Sequence, residues 1–216
     1  GTRAISFGVS VSDTFSQRNT GMPARQLVQG TRALVEQAKR DGLWTRVYIS
    51  AAWVCPFEGP LPPQKAIAYA ELVAEMEPDE IAIADTVGYA NPLEVGSLMD
   101  QLGRRLDMNR LAVHLHDTQA LGLANALTAI QAGVRIIDSS IGGLGGCPFA
   151  PGAAGNLATE DLVFMAYKMG MGTGVDFDKL WALIYELEKW IGRPIGGRIR
   201  PWWESMSEID PAITFK

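Results

Sequence analysis

A short run of β-branched and apolar residues followed by a longer stretch of helical periodicity occurs five times in succession along this chain, and no other feature constrains its fold as strongly. The first unit pairs residues 3–12, RAISFGVSVS, with 23–40, where Leu27, Val28, Leu34, Val35 and Ala38 fall on one helical face. The second runs from 46–50 into a helix over 63–76 whose start is marked by Pro62 and Pro63. Residues 80–84 with 92–106, 111–116 with 121–132, and 135–139 with 157–169 make the remaining three, and Gly133 stops the helix of the fourth. Repeats of roughly 30 residues have the length of a βαβ unit, so parallel strands covered by helices are expected. A doubly wound sheet and a (β/α)8 barrel both satisfy that pattern. An amphipathic helix over 178–191 follows, with Leu180, Leu183, Ile184, Leu187 and Ile191 on one face. No linker divides the chain, so 1–192 reads as one domain and the Pro/Gly-rich tail, 193–216, as a surface extension pinned by Trp202 and Trp203.

The only two histidines stand two positions apart, in Ala112-Val113-His114-Leu115-His116-Asp117. Side chains at i and i+2 on a strand share a face, so the two imidazoles converge at the C-terminal end of the fourth strand. Open α/β sheets and barrels place their active sites at that end. Two neutral imidazoles with nearby oxygens suit a divalent metal; two structural histidines, each satisfied by hydrogen bonds, would show the same spacing.

Three strands end in an aspartate followed by a hydroxyl residue: Asp85-Thr86, Asp117-Thr118 and Asp138-Ser139. Each alone reads as a cap or an Asx turn, but the series gathers polar groups at the end that carries the histidines. Gly142-Gly143-Leu144-Gly145-Gly146-Cys147-Pro148 then sets a thiol on a loop whose glycines allow positive φ and close approach to a ligand. A core cysteine would sit in an apolar run, so Cys147 reads as a functional thiol. No lysine follows these glycines, and their spacing fits neither a phosphate-binding loop nor a dinucleotide fingerprint. Cys55, in Ala52-Trp53-Val54-Cys55-Pro56-Phe57-Glu58-Gly59, lies at another strand end and reads equally as lining or as chemistry.

Nineteen basic against 24 acidic residues give a formal net charge of −5 with no basic block. That balance argues against nucleic acid or an anionic membrane as partner and leaves small molecules. No apolar run approaches the ~20 residues of a membrane-spanning helix. With 216 residues, 47% of them hydrophobic, one sizeable core is expected. Two cysteines in unrelated contexts make no disulfide framework, which fits a reducing compartment such as the cytoplasm.

His114-Leu115-His116-Asp117-Thr118, then Gly143-Leu144-Gly145-Gly146-Cys147-Pro148-Phe149-Ala150, then Gly155-Asn156-Leu157-Ala158-Thr159-Glu160-Asp161 strongly resemble the 3-hydroxy-3-methylglutaryl-CoA lyase family. Cys55-Pro56-Phe57-Glu58-Gly59 and Asp85-Thr86-Val87-Gly88 match it in the same order, and the resemblance extends to about Ile191. It implies a (β/α)8 TIM barrel that cleaves a tertiary 3-hydroxyacyl-CoA by retro-Claisen chemistry, giving acetyl-CoA and a keto acid. It further implies that His114, His116 and Asn156 bind Mg²⁺ or Mn²⁺ and that Cys147 acts from the glycine loop, sharing proton transfer with His114. Asp85 would orient His114 or the substrate, Glu160 would support the metal shell, and Asn19, Arg46 and Tyr48 would line the substrate pocket. An acyl-CoA substrate and a homo-oligomeric state come with the family.

Two departures from the family pattern matter. The family's barrel begins with three further βα units, whose first strand carries an arginine and an aspartate used in catalysis and metal binding. This sequence opens at Gly1-Thr2-Arg3, close to the start of the fourth strand, so strands 4 to 8 are expected here and the chain alone is expected to be unstable or inactive. Gln119-Ala120-Leu121 and Ala52-Trp53-Val54 also differ from the commonest pattern near the mouth of the site. Related substrates such as citramalyl-CoA therefore stay open, as does an acetyl-CoA-dependent synthase of the same superfamily. A barrel remnant acting as a binding module is the non-enzymatic alternative.

Overall fold

The computed structural model of the chain describes residues 1–146 and 155–209, with side chains through Met206. Five strands, β1 (Ala4–Ser10), β2 (Trp44–Ser50), β5 (Glu80–Asp85), β6 (Leu111–Leu115) and β7 (Ile136–Asp138), form one parallel sheet in that spatial order. Between them run α2 (Ala24–Arg40), α3 (Pro63–Ala74), α4 (Pro92–Gly103) and α5 (Gly122–Gln131). Each new strand is added beside the previous one without reversal. Right-handed crossovers made repeatedly in one direction put every helix on the same face of the sheet. A doubly wound fold reverses its strand order and covers both faces, so the order decides for the barrel.

Strand periodicity sorts the residues between the two faces. Val47 and Ile49 of β2, Ile81 and Ile83 of β5, and Val113 and Leu115 of β6 are buried in a core shared with Val35, Val73, Leu98 and Leu102 of the helices. The alternate positions, Arg46, Tyr48, Glu80, His114 and Asp138, point to the other face and are polar. Arg46 on β2 nevertheless bonds to Asp138 on β7, with Nη2 to Oδ1 at 2.8 Å. Three strand spacings separate β2 from β7, about 14 Å in a flat sheet, which is beyond an arginine and an aspartate. The sheet must therefore curl around its polar face, as the wall of a (β/α)8 barrel does.

Some local elements escape the hydrophobic pattern. Helix α1 (Asp13–Thr20) buries only Phe15 and Ser16 and owes its start to Ser12, whose side chain accepts from Phe15 N. A two-stranded hairpin, β3 (Val54–Cys55) with β4 (Gly59–Pro60), precedes α3. After the sheet come α6 (Thr159–Lys168), α7 (Phe177–Ile191) and α8 (Arg200–Ile209). Trp203 of α8 stacks on Trp181 of α7 with centroids 5.5 Å apart, and both join Phe177 and Ile195 in a second small core. Among the described residues no helix is long and apolar enough to cross a membrane.

Candidate active site at the carboxyl end of the sheet

Strand β6 delivers the histidines. His114 lies in register with Asp138 of β7 and Ala84 of β5, and His116 follows just beyond the strand, with ring centroids 5.1 Å apart. His114 Nδ1 sits 3.2 Å from Asp138 Oδ2. That carboxylate also receives Arg46 Nη1 at 3.2 Å, Arg46 Nη2 at 2.8 Å and the Tyr48 hydroxyl at 3.0 Å. Arg46 Nε faces Glu80 Oε1 as a second ion pair. Burial works to raise the Asp138 carboxyl, but the hydrogen bonds from His114 and Arg46 override it and hold the group below its usual range. An ionised Asp138 takes a proton donor at His114 Nδ1 and so leaves Nε2 as the ring's one lone pair.

His116 is buried, at 7% exposure. Burial first, and the neighbouring His114 ring second, push it down to about 4, so the imidazole is neutral near pH 7. Its buried Nδ1 has no hydrogen-bond partner among the described residues. A neutral imidazole with an unsatisfied nitrogen is in the state a metal ligand requires.

Residues 155–158 return the chain to this spot. Leu157 N donates to Leu115 O at 3.1 Å, Asp117 N to Gly155 O at 2.9 Å, and Ser140 N to Leu157 O at 2.9 Å, so the segment fits between the ends of β6 and β7. Asn156 is thereby bridged to His116. Its amide nitrogen donates to Leu144 O at 2.8 Å, which leaves the amide oxygen as the group it can offer a ligand. Gly155, at φ 100°, runs beneath the glycine loop; a Cβ there would fall 2.2 Å from Gly145 O. An open pocket of about 250 Å³ beside Asn156 is lined by Asp117, Gly142, Gly143, Gly197 and Arg198.

His114, His116, Asn156, Arg46 and Tyr48 are thus brought together, and three other expected residues are not. Asp85 pairs in register with Leu115 and lies on the helix-facing side of β5, away from His114. Its carboxylate accepts Tyr89 N and Ala90 N, each at 3.1 Å, so it shapes its own loop, and Asp138 holds His114 instead. Glu160 is fully buried, but its oxygens accept Gly142 N and Gly197 N rather than reaching the histidines. Asn19 is exposed on α1, and among the described residues no hydrogen bond links it to this network. Cys147 lies outside the described residues. Cys55 is buried, with Sγ 3.1 Å from Ser12 Oγ, as part of the packing around Phe15.

Asp138 and Glu80 are the site residues that sequence reasoning left without a role. Asp138 was visible as a strand-end aspartate, and its register opposite His114 is the signal that identifies it. Among the described residues no group of three or more histidine, cysteine or carboxylate side chains is placed to hold a metal ion. Two imidazoles and one amide oxygen are the donors these residues bring together.

Comparison with known proteins places the chain in a family. Residues 1–185 match the HMGL-like family. The chain is 36% identical over 190 residues to hydroxymethylglutaryl-CoA lyase YngG of Bacillus subtilis, covering 88% of this chain and 64% of that protein. It is 37% identical over 198 residues to the mitochondrial hydroxymethylglutaryl-CoA lyase of Arabidopsis thaliana, covering 92% and 42%. The chain thus spans less than two thirds of the length of these curated relatives. Among solved structures, the Bacillus subtilis HMG-CoA lyase superposes with a TM-score of 0.90 at 34% identity, over 94% of this chain and 68% of that one. An HMG-CoA lyase from Acinetobacter baumannii in complex with coenzyme A and 3-methylmalate gives a TM-score of 0.87 at 33% identity, over 92% and 65%.

Proposed function

The chain belongs to the HMGL-like family, and from that premise we propose that its protein is a carbon–carbon lyase that cleaves 3-hydroxy-3-methylglutaryl-CoA to acetyl-CoA and acetoacetate. The observation that carries the reading is the convergence at one strand end of His114, fixed by Asp138, and a neutral, unsatisfied His116.

In the reaction the C3 hydroxyl loses its proton, the C2–C3 bond breaks, and its electron pair is left as the acetyl-CoA enolate, which is then protonated at C2. No water is consumed. A divalent ion, Mg²⁺ or Mn²⁺, held by His114, His116 and Asn156 would supply Lewis-acid polarisation of the substrate oxygens. Asp138 commits His114 Nδ1–H, so Nε2 is the only lone pair of that ring and serves as ligand or as proton acceptor, one at a time. Cys147, which follows Gly146 in the sequence, is the proposed acid for the enolate. Arg46 and Tyr48 hold Asp138 and present cationic and hydroxyl edges on the polar face, where the carboxylate end of the acyl chain would lie.

The complex of the Acinetobacter relative with coenzyme A and 3-methylmalate, a methyl-branched hydroxy diacid, supports a second reading in which the substrate is a related diacid thioester such as citramalyl-CoA. The test is acetyl-CoA release from both thioesters by the intact protein, for wild type and for Cys147→Ala. Turnover of one substrate that falls at least about 100-fold in the variant supports the proposal and selects the acyl group. Wild-type turnover that Cys147→Ala leaves intact refutes the thiol's role, and turnover of neither substrate refutes the lyase reading.

A further inference from the structure

The link between α7 and α8 reaches the site. Glu160, in the first turn of α6, spends one carboxylate oxygen on Gly142 N at 3.0 Å and the other on Gly197 N. Asp161 beside it accepts Arg198 N at 2.8 Å and Ile199 N at 3.0 Å. The Arg198 side chain then crosses to Asp117, directly after His116, with Nη2 at 2.9 Å and Nε at 3.3 Å from Oδ2.

Packing is equally close. Ile195 is buried, and a Cβ on Gly142 would fall 2.9 Å from its Cδ1. A Cβ on Gly197 would fall 2.3 Å from Asp161 Oδ1. The root of the glycine loop, the two carboxylates of α6 and this link are therefore interlocked around the pocket that Asn156 also lines. Glu160 is the joint, since both halves of one buried carboxylate are satisfied by backbone amides from segments 55 residues apart in sequence, 142 and 197.

We propose that residues 195–198 are a brace that positions the glycine loop at the mouth of the site, with Gly197 and Arg198 as positioning residues for the lyase reaction. The proposal rests on the lyase reading for its catalytic consequence but not for its structural one. A Cβ at position 197 would collide with Asp161 and push the residue's amide off Glu160, leaving that buried carboxylate half-satisfied and loosening its hold on Gly142. Without the Arg198 guanidinium, Asp117 loses its partner across the mouth.

The experiment is hydrogen exchange on the intact, substrate-free protein, read in peptides covering 140–146 and 114–118, with kcat and KM measured alongside. Gly197→Ala is expected to speed exchange at the Gly142 amide at least about tenfold, with distant strands unchanged. Arg198→Ala is expected to speed exchange at the Asp117 amide about threefold. In both variants kcat should fall while KM stays within about twofold. If Gly197→Ala does not fold, Arg198→Ala decides, because its side chain is 60% exposed and its loss leaves the core intact. Wild-type exchange in both peptides, or an increase spread evenly over the sheet, overturns the brace. Loop-specific exchange in a protein without lyase turnover would keep the brace and refute the lyase reading.

Discussion

Replacing Arg46 by methionine removes the guanidinium that joins β2 to β5 and β7 while keeping the aliphatic stem. Glu80 and Asp138 then remain with side chains only 10% and 19% exposed and, among the described residues, no arginine or lysine partner. Breaking a buried ion pair by removing one member costs about 3–5 kcal/mol. Tyr48 still donates to Asp138, and both carboxylates keep some solvent, which places the loss near ~3 kcal/mol on that scale. The cost depends on pH in a direction the structure fixes. Burial already raises the Glu80 carboxyl, with Arg46 opposing; without Arg46 it rises further above its unfolded value. The native variant then binds a proton that the unfolded chain does not, so its stability is regained as pH falls and lost as pH rises. Urea denaturation of the intact protein, wild type against Arg46→Met, should show a loss of ~3 kcal/mol near pH 8 that shrinks toward pH 5. Adding Glu80→Gln should restore about 1 kcal/mol or more. A loss under about 1 kcal/mol, or one independent of pH, would refute the claim that this network ties the curled sheet together.

Three further outcomes are expected. Asp138→Asn should weaken Mn²⁺ binding about 10- to 100-fold by titration calorimetry, because the partner of a ligand histidine sets its tautomer; unchanged affinity would show that Asp138 does not orient the ligand. Burial raises Asp85 to about 6 from 3.8, so the folded state binds the extra proton and stability falls as pH rises between those values. The advantage of wild type over Asp85→Asn should shrink by up to about 3 kcal/mol across that window in denaturation curves, and a flat difference would contradict it. Gly88 has φ 69°, and an added Cβ would fall 2.5 Å from Thr118 Oγ1. Gly88→Ala should therefore cost about 2–4 kcal/mol by thermal melting, and a loss below about 0.5 kcal/mol would mean that the loop relaxes freely.

The βα alternation was legible because each helix and strand buries one face, and burial writes its period into the sequence. The histidine pair was legible for the same reason, since i and i+2 on a strand need no tertiary knowledge to be placed together. Asp85 was misplaced because a strand-end aspartate looks alike on either face. Parity was the available signal, as Asp85 shares its side with Ile81 and Ile83. The Arg46–Asp138 contact was not legible, because it exists only once the sheet curls across three strand spacings. Glu160 sits in a motif that pointed to the metal, yet its partners are amides whose positions depend on how the chain returns from α7. Residues 195–198 offered no periodicity at all, and much of their role comes from backbone amides, which sequence does not distinguish.

The proposed lyase holds its metal on the histidine pair and Asn156 for carbon–carbon bond cleavage. The decisive measurement follows the products formed from 3-hydroxy-3-methylglutaryl-CoA by the intact protein through removal and return of the metal, in wild type and His116→Ala. Acetyl-CoA and acetoacetate are expected in equal amounts, abolished by chelation, restored by Mg²⁺ in the wild type and not restored in the variant. Equal product formation by wild type with and without chelator, or full restoration in His116→Ala, would contradict it.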